Sequence, residues 1–362
     1  MIEKFKVANW NIGGSKYLQA EKSKRNKIKK DLNFEINDLI RKQGNPDVIT
    51  LQEVVRYGKS KNEYEELIDE IEGYRYYSFP LIDTDRLSSK AKWNKVKVIE
   101  KNGKIIQNWD KDTYFAQGNA FLFKEELTHV PVWDLRKSSN NKPEEKRNYI
   151  EQVNLESGLY FGERGSEPRA ALVAHFLRNP TNYEDKPLDI FVINTHLTTL
   201  RMEREGIPEI DLAARKIRSW QIDVIFNGII SRYNKWRREN YKERGEKRVL
   251  KNWETNKRFE PVWIIAGDFN FIYESVEYER IIKMNFIDLV PNKKIKTKAK
   301  GAGNTPTLTL DYIFGGPKFI ALDRFVYGKK EIDLEQNIVD KRVKGSDHYP
   351  LIATIPIEIP ED

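Results

Sequence analysis

The segment Val262–Asn270, which reads VWIIAGDFN, constrains the fold of this chain more than any other stretch. Its first five residues are mostly apolar and form a run long enough for a strand that is buried on both faces. Gly267 interrupts the run, and Asp268 and Asn270 then lie two positions apart, so both side chains point to one side of an extended chain. Open α/β proteins build ligand sites from polar groups at the carboxyl ends of buried strands. The segment therefore predicts a strand with a polar site at its end.

Other apolar runs in the chain also end in polar side chains. These side chains are Asn11, Glu53, Asn194, His196, Asp311, Ser346, Asp347 and His348. Because the chain contains no cysteine, the candidate ligands are oxygen atoms and two imidazoles. Oxygen-rich sites suit hard cations such as Mg²⁺ or Mn²⁺, and neither histidine belongs to a His-x-x-x-His pair that would indicate zinc.

Strand-like runs interleave with a few helical patterns along the whole chain. The runs that predict strands are Phe5–Asn11, Asp47–Glu53, Tyr74–Phe79, Asn119–Phe123, Thr128–Trp133, Arg169–Phe176, Leu188–Thr195, Val262–Ala266, Leu308–Phe314, Phe325–Gly328 and Pro350–Ile357. The patterns that predict helices are Glu21–Gln43, Glu63–Ile71, Leu212–Tyr233 and Ser275–Met284. A hairpin is predicted within Lys95–Ile106. Without a repeat, a linker or a break in composition, we expect one α/β domain over residues 1–362, with inserted loops near residues 83–115, 134–166 and 234–258.

The composition excludes some classes of protein and leaves others open. No apolar stretch approaches the roughly 20 residues that a membrane helix requires, so we expect no membrane segment. The N-terminal sequence MIEKFKVANWNI passes directly into a strand-like run without the apolar core of a signal peptide, which predicts a cytoplasmic protein. The net charge of +8 suits a polyanionic partner, but it suits a role in solubility equally well. Nothing in the sequence indicates a protein partner.

The polar strand ends form an ordered series of motifs. NWNIGG, LQEV, NTHL, GDFN, LDYIF and GSDHYP, in this order and spacing, resemble the endonuclease/exonuclease/phosphatase superfamily. That family includes DNase I-like nucleases, exonuclease III-type repair enzymes, tyrosyl-DNA phosphodiesterase 2, neutral sphingomyelinases and inositol polyphosphate 5-phosphatases. The resemblance covers Val7 to Ala353 and implies a DNase I-like fold, a four-layer α/β/β/α sandwich of two mixed β-sheets.

The resemblance also implies a metal site and a catalytic pair. Glu53 matches the family's metal-binding glutamate, with Asn11 and Asp347 beside the ion. The implied metal is Mg²⁺, with Mn²⁺ as a substitute. His348 matches the family's catalytic histidine, and Asp311 matches the carboxylate that pairs with it.

Further residues match positions that contact water or phosphate. Asp268 and Asn270 match the pair that positions the attacking water and touches the phosphate. His196 matches a second histidine of the DNase I and sphingomyelinase branches, whereas the exonuclease III branch usually has a different motif there. Arg169, in EPRAALVAHF, resembles a phosphate-contacting arginine, and Asn119, in QGNAFLF, resembles a small-residue motif before another strand. Taken alone, Arg169 fits a structural ion pair equally well.

Together these expectations describe a phosphodiesterase. A Mg²⁺ ion held by Glu53 would neutralise charge on the phosphoryl oxygens, and either His348 or Asp268 would activate the water. The leading hypothesis is a Mg²⁺-dependent nuclease or DNA-end-processing enzyme, with DNA favoured over RNA. One alternative is a phosphatase or phospholipase C-type enzyme of the same fold that acts on an inositol phosphate or a sphingomyelin-like lipid. A catalytically silent binding protein is the other, and the presence of Glu53, Asp268 and His348 disfavours it.

Basic segments bear on the choice of substrate. Lys22–Lys30, which includes Arg25, places cations in the first turns of a helix, where the helix dipole disfavours them. Asn234–Arg258 and Lys293–Lys300 add basic loops, and the first of these also contains aromatic residues. Cationic surfaces with aromatic faces suit single-stranded nucleic acid, whereas a solvated face of a lysine-rich protein needs no ligand.

Overall fold

The computed structural model describes residues 2–14, 17, 22–58, 62–83, 98–101, 104–107, 114–130, 150–155, 169–178, 188–198, 208–235, 261–290, 310–316, 346 and 348–358. Asp347, the predicted strand Phe325–Gly328 and the basic loop Lys293–Lys300 lie outside these residues. Most residues of the three predicted inserted loops also lie outside them.

The strands and helices are numbered in chain order. The strands are β1 (Ile2–Asn11), β2 (Val48–Gly58), β3 (Tyr64–Glu66), β4 (Tyr74–Asp83), β5 (Val98–Lys101), β6 (Lys104–Gln107), β7 (Tyr114–Lys124), β8 (Thr128–Val130), β9 (Ile150–Asn154), β10 (Ala170–Arg178), β11 (Leu188–His196), β12 (Val262–Asp268), β13 (Ile287–Asp288), β14 (Asp311–Gly316) and β15 (Leu351–Glu358). The helices are α1 (Lys22–Lys42), α2 (Pro208–Asp223) and α3 (Val276–Lys283), and the π-helical segment Val224–Ile230 continues α2.

Within the described residues, the strands form two mixed sheets and a separate hairpin. The first sheet has the strand order β15–β1–β2–β7–β4, with β3 on the edge of β2, and β1 runs parallel to β2. The second sheet has the order β13–β14–β12–β11–β10–β8, with β9 also paired to β10, and β11 runs parallel to β12. The antiparallel pair β5–β6 confirms the hairpin predicted within Lys95–Ile106. Each sheet therefore contains one parallel pair whose carboxyl ends lie at the same edge.

The two sheets pack face to face, and helices cover their outer faces. Apolar side chains of both sheets, among them Val7, Phe121 and Ile264, form one buried cluster. A second cluster joins the first sheet to α1, and a third joins the second sheet to α2 and α3. Each large apolar side chain removed from water in these clusters stabilises the fold by roughly 1.5–3 kcal/mol. The layers therefore follow the predicted order α/β/β/α.

The helix predicted at Glu63–Ile71 is wrong. Tyr64–Glu66 instead forms β3, which pairs with β2. The backbone N–H of Leu67 donates to the carbonyl oxygen of Val55 at 2.9 Å, and the carbonyl oxygen of Leu67 accepts a hydrogen bond from Asn33 Nδ2 at 3.0 Å. Because neighbouring elements satisfy these backbone groups, the segment needs no helical hydrogen bonds of its own.

Two other segments differ in detail from the prediction. The expected loop over residues 134–166 contains β9, which pairs with β10 and buries Ile150. The helix predicted from Leu212 begins earlier, at Pro208, and changes to π-helical hydrogen bonding at Val224. Proline suits the first turn of a helix because its missing N–H would have had no helical partner. No helix among the described residues is long and apolar enough to cross a membrane.

Asp288 gives the fold a pH-dependent stability. Burial raises the pKa of Asp288 to about 6, although its side chain accepts hydrogen bonds from Val290 N–H and Tyr278 O–H. Since the folded pKa lies above the unfolded value, the contribution of Asp288 to stability is present below about pH 4 and is lost as the pH rises through about 6. We expect Asp288→Asn to raise the free energy of unfolding at pH 8 by on the order of 1–3 kcal/mol and to give no gain at pH 4. Urea unfolding at both pH values measures this, and an equal change at both would contradict it.

Candidate active site

Five strands bring distant polar side chains together, four of them at a strand end and β2 from within the strand. In the second sheet, the parallel pair β11–β12 places His196 opposite Asp268, and β14 begins with Asp311 opposite Asp268 on the other side. In the first sheet, Asn11 ends β1, and Glu53 lies beside it in β2. The strand registers therefore collect these five residues at one end of the sandwich.

His348 and Asp311 form a buried pair. His348 Nδ1 lies 2.8 Å from Asp311 Oδ2. An ionised carboxylate only accepts hydrogen bonds, so this contact places a proton on Nδ1 and leaves Nε2 to face the site. The backbone N–H of His348 donates to Ser346 Oγ at 3.0 Å, and Trp10 Nε1 donates to the carbonyl oxygen of His348 at 3.0 Å. The backbone of His348 is therefore fixed to the first sheet, while its ring is held by the second.

Asp268 is the residue at which the other side chains converge. Its Oδ2 accepts a hydrogen bond from Asn11 Nδ2 at 2.9 Å. The same oxygen lies 3.6 Å from His196 Nε2 and 3.8 Å from His348 Nε2. Burial raises the pKa of Asp268 to about 6, and the charge of nearby Asp311 adds to this effect. A carboxylate with a pKa near neutrality accepts protons more readily than an ordinary one.

Glu53 reaches the site because β2 is irregular at this point. The register between β2 and β7 shifts between Leu51 and Val54, and Glu53 adopts a left-handed backbone conformation with φ of +57°. For a residue with a side chain, such a conformation costs of order 1–3 kcal/mol and persists only where the surroundings enforce it. Gly14 packs directly against this part of the backbone, since a Cβ atom at Gly14 would overlap the carbonyl oxygen of Glu53.

Asn270 follows Asp268 in a second left-handed conformation, with φ of +52°. Its backbone N–H donates to Asp268 Oδ1 at 3.0 Å, and its Nδ2 donates to the carbonyl oxygen of Leu197 at 3.1 Å. The bond to Leu197 joins the chain just after β12 to the chain just after β11. The two bonds place Asn270 beside Asp268, as the sequence predicted, and show that its side chain also holds the chain just after His196.

Arg169 and Asn119 form a separate group. Arg169 is buried and directly precedes β10, and Asn119 Nδ2 donates to the carbonyl oxygen of Ala170 at 3.3 Å. This bond joins the two sheets beside Arg169. In the second sheet β11 lies between β10 and β12, so the group is displaced to one side of Asp268. A role for either residue in binding phosphate stays a prediction, and Asp347 lies outside the described residues.

The site offers oxygen ligands for a divalent cation. Asn11 Nδ2 lies 2.9 Å from Asp268 Oδ2 and 3.4 Å from Glu53 Oε1, so two carboxylates share one amide group. This concentration of carboxylate oxygens suits hard divalent cations. The amide oxygen of Asn11 accepts a hydrogen bond from the N–H of Gly13 at 3.0 Å, so it is the amide nitrogen that faces the carboxylates. The fit to a cation therefore rests on Glu53 and Asp268.

A second set of potential ligand atoms overlaps with the first. One donor atom each from Asp268, Asp311 and His348 lies within 4.8 Å of the others. Asp311 and His348 already bond to each other at 2.8 Å, which suits proton handling rather than shared coordination of an ion. We therefore favour Glu53 and Asp268 as the carboxylates that would face a metal.

Sequence reasoning missed two buried amides next to the site, Asn9 and Gln52. The available signal was an alternation of polar with apolar residues, with Asn9 and Asn11 two apart in β1 and Thr50 and Gln52 two apart in β2. Residues two apart in a strand share a face. The pattern therefore indicated polar groups on the buried face just before each strand end.

A family model matches most of the chain. The model of the Endonuclease/Exonuclease/phosphatase family matches residues 8–348. The match begins within β1 and ends at His348, so it spans all the site residues described above. No curated protein gives a significant match.

Solved structures resemble the chain over nearly its whole length at low sequence identity. The endonuclease/exonuclease/phosphatase from Bacteroides vulgatus is 14% identical, with 98% of this chain and 100% of that chain covered and a TM-score of 0.49. A protein of the same description from Bacteroides thetaiotaomicron is 12% identical, with 99% and 100% covered and a TM-score of 0.47. TDP2 from Caenorhabditis elegans is 14% identical, with 97% and 74% covered and a TM-score of 0.44. Likenesses this distant carry no information about substrate.

Proposed function

The chain belongs to the endonuclease/exonuclease/phosphatase family, whose members hydrolyse phosphoric esters, and we propose that it is a Mg²⁺-dependent phosphodiesterase that cleaves nucleic acid. The observation that carries this proposal is the convergence of His196 and His348 on one oxygen of Asp268, at 3.6 and 3.8 Å. A carboxylate between two imidazoles provides a proton acceptor and two hydrogen-bond donors in one place. These are the groups that phosphodiester hydrolysis requires.

Asp268, His348 and His196 have different roles in the proposed hydrolysis. We propose that Asp268 accepts the proton of the attacking water, because its Oδ2 lies between His196 Nε2 and His348 Nε2 at the centre of the site. The water oxygen bonds to phosphorus, its proton passes to Asp268 Oδ2, and the ester P–O bond breaks with its electron pair on the departing oxygen, which takes up a proton from the solvent. His348, held in orientation by Asp311, donates from protonated Nε2 to a phosphoryl oxygen, and His196 donates from the other side of Asp268.

The family generally uses a divalent metal, and we propose Mg²⁺, with Mn²⁺ as a substitute. Glu53 would hold the ion, with Asp268 facing it and Asn11 and Asp347 beside it. When bound, the ion would neutralise charge on the phosphoryl oxygens and assist the departing oxygen.

The remaining predicted residues would contact the substrate. Asn270 lies next to Asp268 and is placed to contact the scissile phosphate. Arg169 and Asn119 lie together where β7 meets the start of β10, and we propose that they contact a neighbouring phosphate. A nucleic acid strand has a second phosphate for this group.

The outer face of α1 supports nucleic acid as the substrate. Lys27 and Lys30 are exposed, and neither forms an ion pair with another described residue. Phe34, at 65% exposure, lies on the same helical face because it follows them by seven and four positions. Arg25 was predicted to belong to this basic surface, but it is 7% exposed and faces the protein near Tyr17. Exposed cations beside an exposed aromatic ring suit a single strand, with phosphates on the lysines and a base on the ring.

This surface gives the proposal its test. Replacing Lys27 and Lys30 with Gln is expected to weaken binding of single-stranded DNA at low salt. Because each phosphate contact releases counterions, the slope of log affinity against log salt should fall by about 0.7–0.9 for each lysine that contacts phosphate. Fluorescence anisotropy at several salt concentrations measures the slope. Hydrolysis of bis(p-nitrophenyl) phosphate, which is too small to reach α1, should change less than twofold.

A matched control removes the same charge elsewhere. Lys216 on α2 and Lys283 on α3 are also exposed, and they cover the second sheet rather than the first. Their double Gln variant should keep the wild-type salt slope. Equal slopes in the two double variants would make the face of α1 a solvated surface. Cleavage of sphingomyelin or an inositol polyphosphate, with none of plasmid or oligonucleotide, would replace nucleic acid as the proposed substrate.

We also propose that residues 1–362 form a single domain. β1 and β15 pair from Ile2 to Asn9 in the first sheet, so the two ends of the chain lie in the same sheet. The core between the sheets likewise combines residues from Phe5 to Ile355. An arrangement of two independent domains would separate these segments.

A further inference from the structure

A chain of buried amides crosses the interface between the two sheets. Gln52 Nε2 on β2 donates to Asn9 Oδ1 on β1 at 2.9 Å and to Asn194 Oδ1 on β11 at 2.7 Å. All three side chains are at 0% exposure. We call these three residues the amide bridge. Its bond between Gln52 and Asn194 joins the first sheet to the second, side chain to side chain.

Backbone carbonyls determine how the three amides are oriented. Asn9 Nδ2 donates to the carbonyl oxygen of Gly267 at 3.2 Å. Asn194 Nδ2 donates to the carbonyl oxygens of Leu51 and Ala120 at 3.1 and 2.7 Å. Because carbonyl oxygens only accept, both asparagines must turn their own oxygens toward Gln52. Gln52 is then the double donor, and its Oε1 has no hydrogen-bond partner among the described residues.

The amide bridge lies directly beneath the site. Asn9 is two residues before Asn11, and Asn194 is two residues before His196, so each shares a strand face with the site residue that follows it. Gln52 immediately precedes Glu53. Gly267, whose carbonyl oxygen binds Asn9, immediately precedes Asp268. Deeper in the same interface the facing residues are apolar, so the polar groups are confined to the layer under the site.

The site depends on the distance between Glu53 and Asp268, and the backbone hydrogen bonds within each sheet do not set this distance. Asn11 and Glu53 belong to the first sheet, whereas His196 and Asp268 belong to the second. Backbone pairing fixes residues within a sheet, and apolar packing between sheets is not directional. Glu53 has no partner in the β2–β7 register, because that register shifts once, between Leu51 and Val54.

We propose that Gln52 is a positioning residue whose two hydrogen bonds set the separation between Glu53 and Asp268. This inference rests on the proposed function, since it gives Glu53 and Asp268 a shared task at a divalent cation. The bridge would hold the two carboxylates at the spacing that the cation requires. Groups that orient metal ligands in this way typically change metal affinity or activity by about 10–100-fold when removed.

The test compares substitutions that remove or reverse the donors. Gln52→Met keeps the length of the side chain but has no donor, and Gln52→Glu turns carboxylate oxygens toward Asn9 and Asn194. We expect Gln52→Met to raise the Mn²⁺ dissociation constant about tenfold, measured by calorimetry on the free protein, and to lower kcat on a small phosphodiester about 10–100-fold with KM less changed. Gln52→Glu should have the larger effect on both.

Thr50→Val is the matched control. Thr50 Oγ donates to Asn9 Oδ1 at 2.7 Å and lies near the carbonyl oxygen of Ala8 at 3.2 Å, so it bonds only within the first sheet. Its loss should lower the melting temperature while metal affinity and kcat stay within about twofold of wild type, since the cross-sheet bonds remain. If Gln52→Met and Thr50→Val both lose only stability, the bridge is structural and the proposal is wrong. Failure of Gln52→Met to fold at 10 °C would also overturn it.

The metal titration separates this inference from the proposed function. If wild-type protein binds Mn²⁺ but hydrolyses no phosphodiester, the proposed reaction fails, while the affinity of Gln52→Met still decides the role of the bridge. If the wild type is active and Gln52→Met binds Mn²⁺ and turns over as the wild type does, the bridge proposal fails and the function stands.

Discussion

His348→Ala is expected to lower kcat for phosphodiester hydrolysis by roughly 10²–10⁴-fold, the range over which a positioned proton-transfer or donor group contributes. His348 Nε2 lies 3.8 Å from Asp268, and its other nitrogen is held by Asp311 at 2.8 Å. Alanine removes the donor at the phosphate but leaves Asp268 in place. Single-turnover cleavage of an oligonucleotide and hydrolysis of bis(p-nitrophenyl) phosphate should both fall, because the lost contact is to the reacting phosphate.

A second His–Asp pair, which lies in the second sheet, provides the control. His175 Nε2 lies 2.8 Å from Asp189 Oδ1, and His175 pairs with Phe191 in the strand register, five residues before His196. At about 3.3 Å per residue it is roughly 17 Å from the site. We expect His175→Ala to lower thermal stability and to leave kcat of the folded enzyme within about twofold of wild type. Turnover by His348→Ala at the wild-type rate would mean that His348 is an ordinary buried histidine.

Removing divalent cations with EDTA is expected to abolish hydrolysis, and Mg²⁺ or Mn²⁺ is expected to restore it. Without a cation, the carboxylates of Glu53 and Asp268 would repel the phosphate instead of binding it through the ion. Glu53→Gln removes ligand charge but keeps the size of the side chain. It should therefore raise the metal concentration for half-maximal activity by at least about tenfold, with a smaller effect on kcat at saturating metal.

Asp288→Asn serves as the control for this measurement. Asp288 is a half-buried carboxylate on β13, and its partners are Tyr278 and the backbone of Val290. The variant should show the wild-type metal requirement, so a change seen with Glu53→Gln is not a general effect of removing a half-buried carboxylate. Full wild-type activity in excess EDTA would rule out the metal-dependent mechanism.

The sequence alone determined which strands carry polar groups at their ends. The apolar run Val262–Ala266 had to be buried, and Asp268 followed it on a shared face, because side chains alternate along a strand whatever lies around it. The same local rule placed polar groups at the ends of β1 and β11. The helical period likewise predicted α1 almost to the residue. These features depend on residues a few positions apart, so the order of residues was sufficient to predict them.

Only the tertiary structure decided the features that depend on distant partners. β3 replaced a predicted helix because its backbone groups bond to β2 and to Asn33. Arg25 does not belong to the predicted basic surface, because the helix face on which it lies packs against the protein. Glu53 adopts a left-handed conformation that its own sequence does not favour. Gln52 bonds to Asn194, which lies 142 positions away in the chain. Burial and hydrogen bonding between such residues exist only once the two sheets have packed, so no local pattern in the chain could have predicted them.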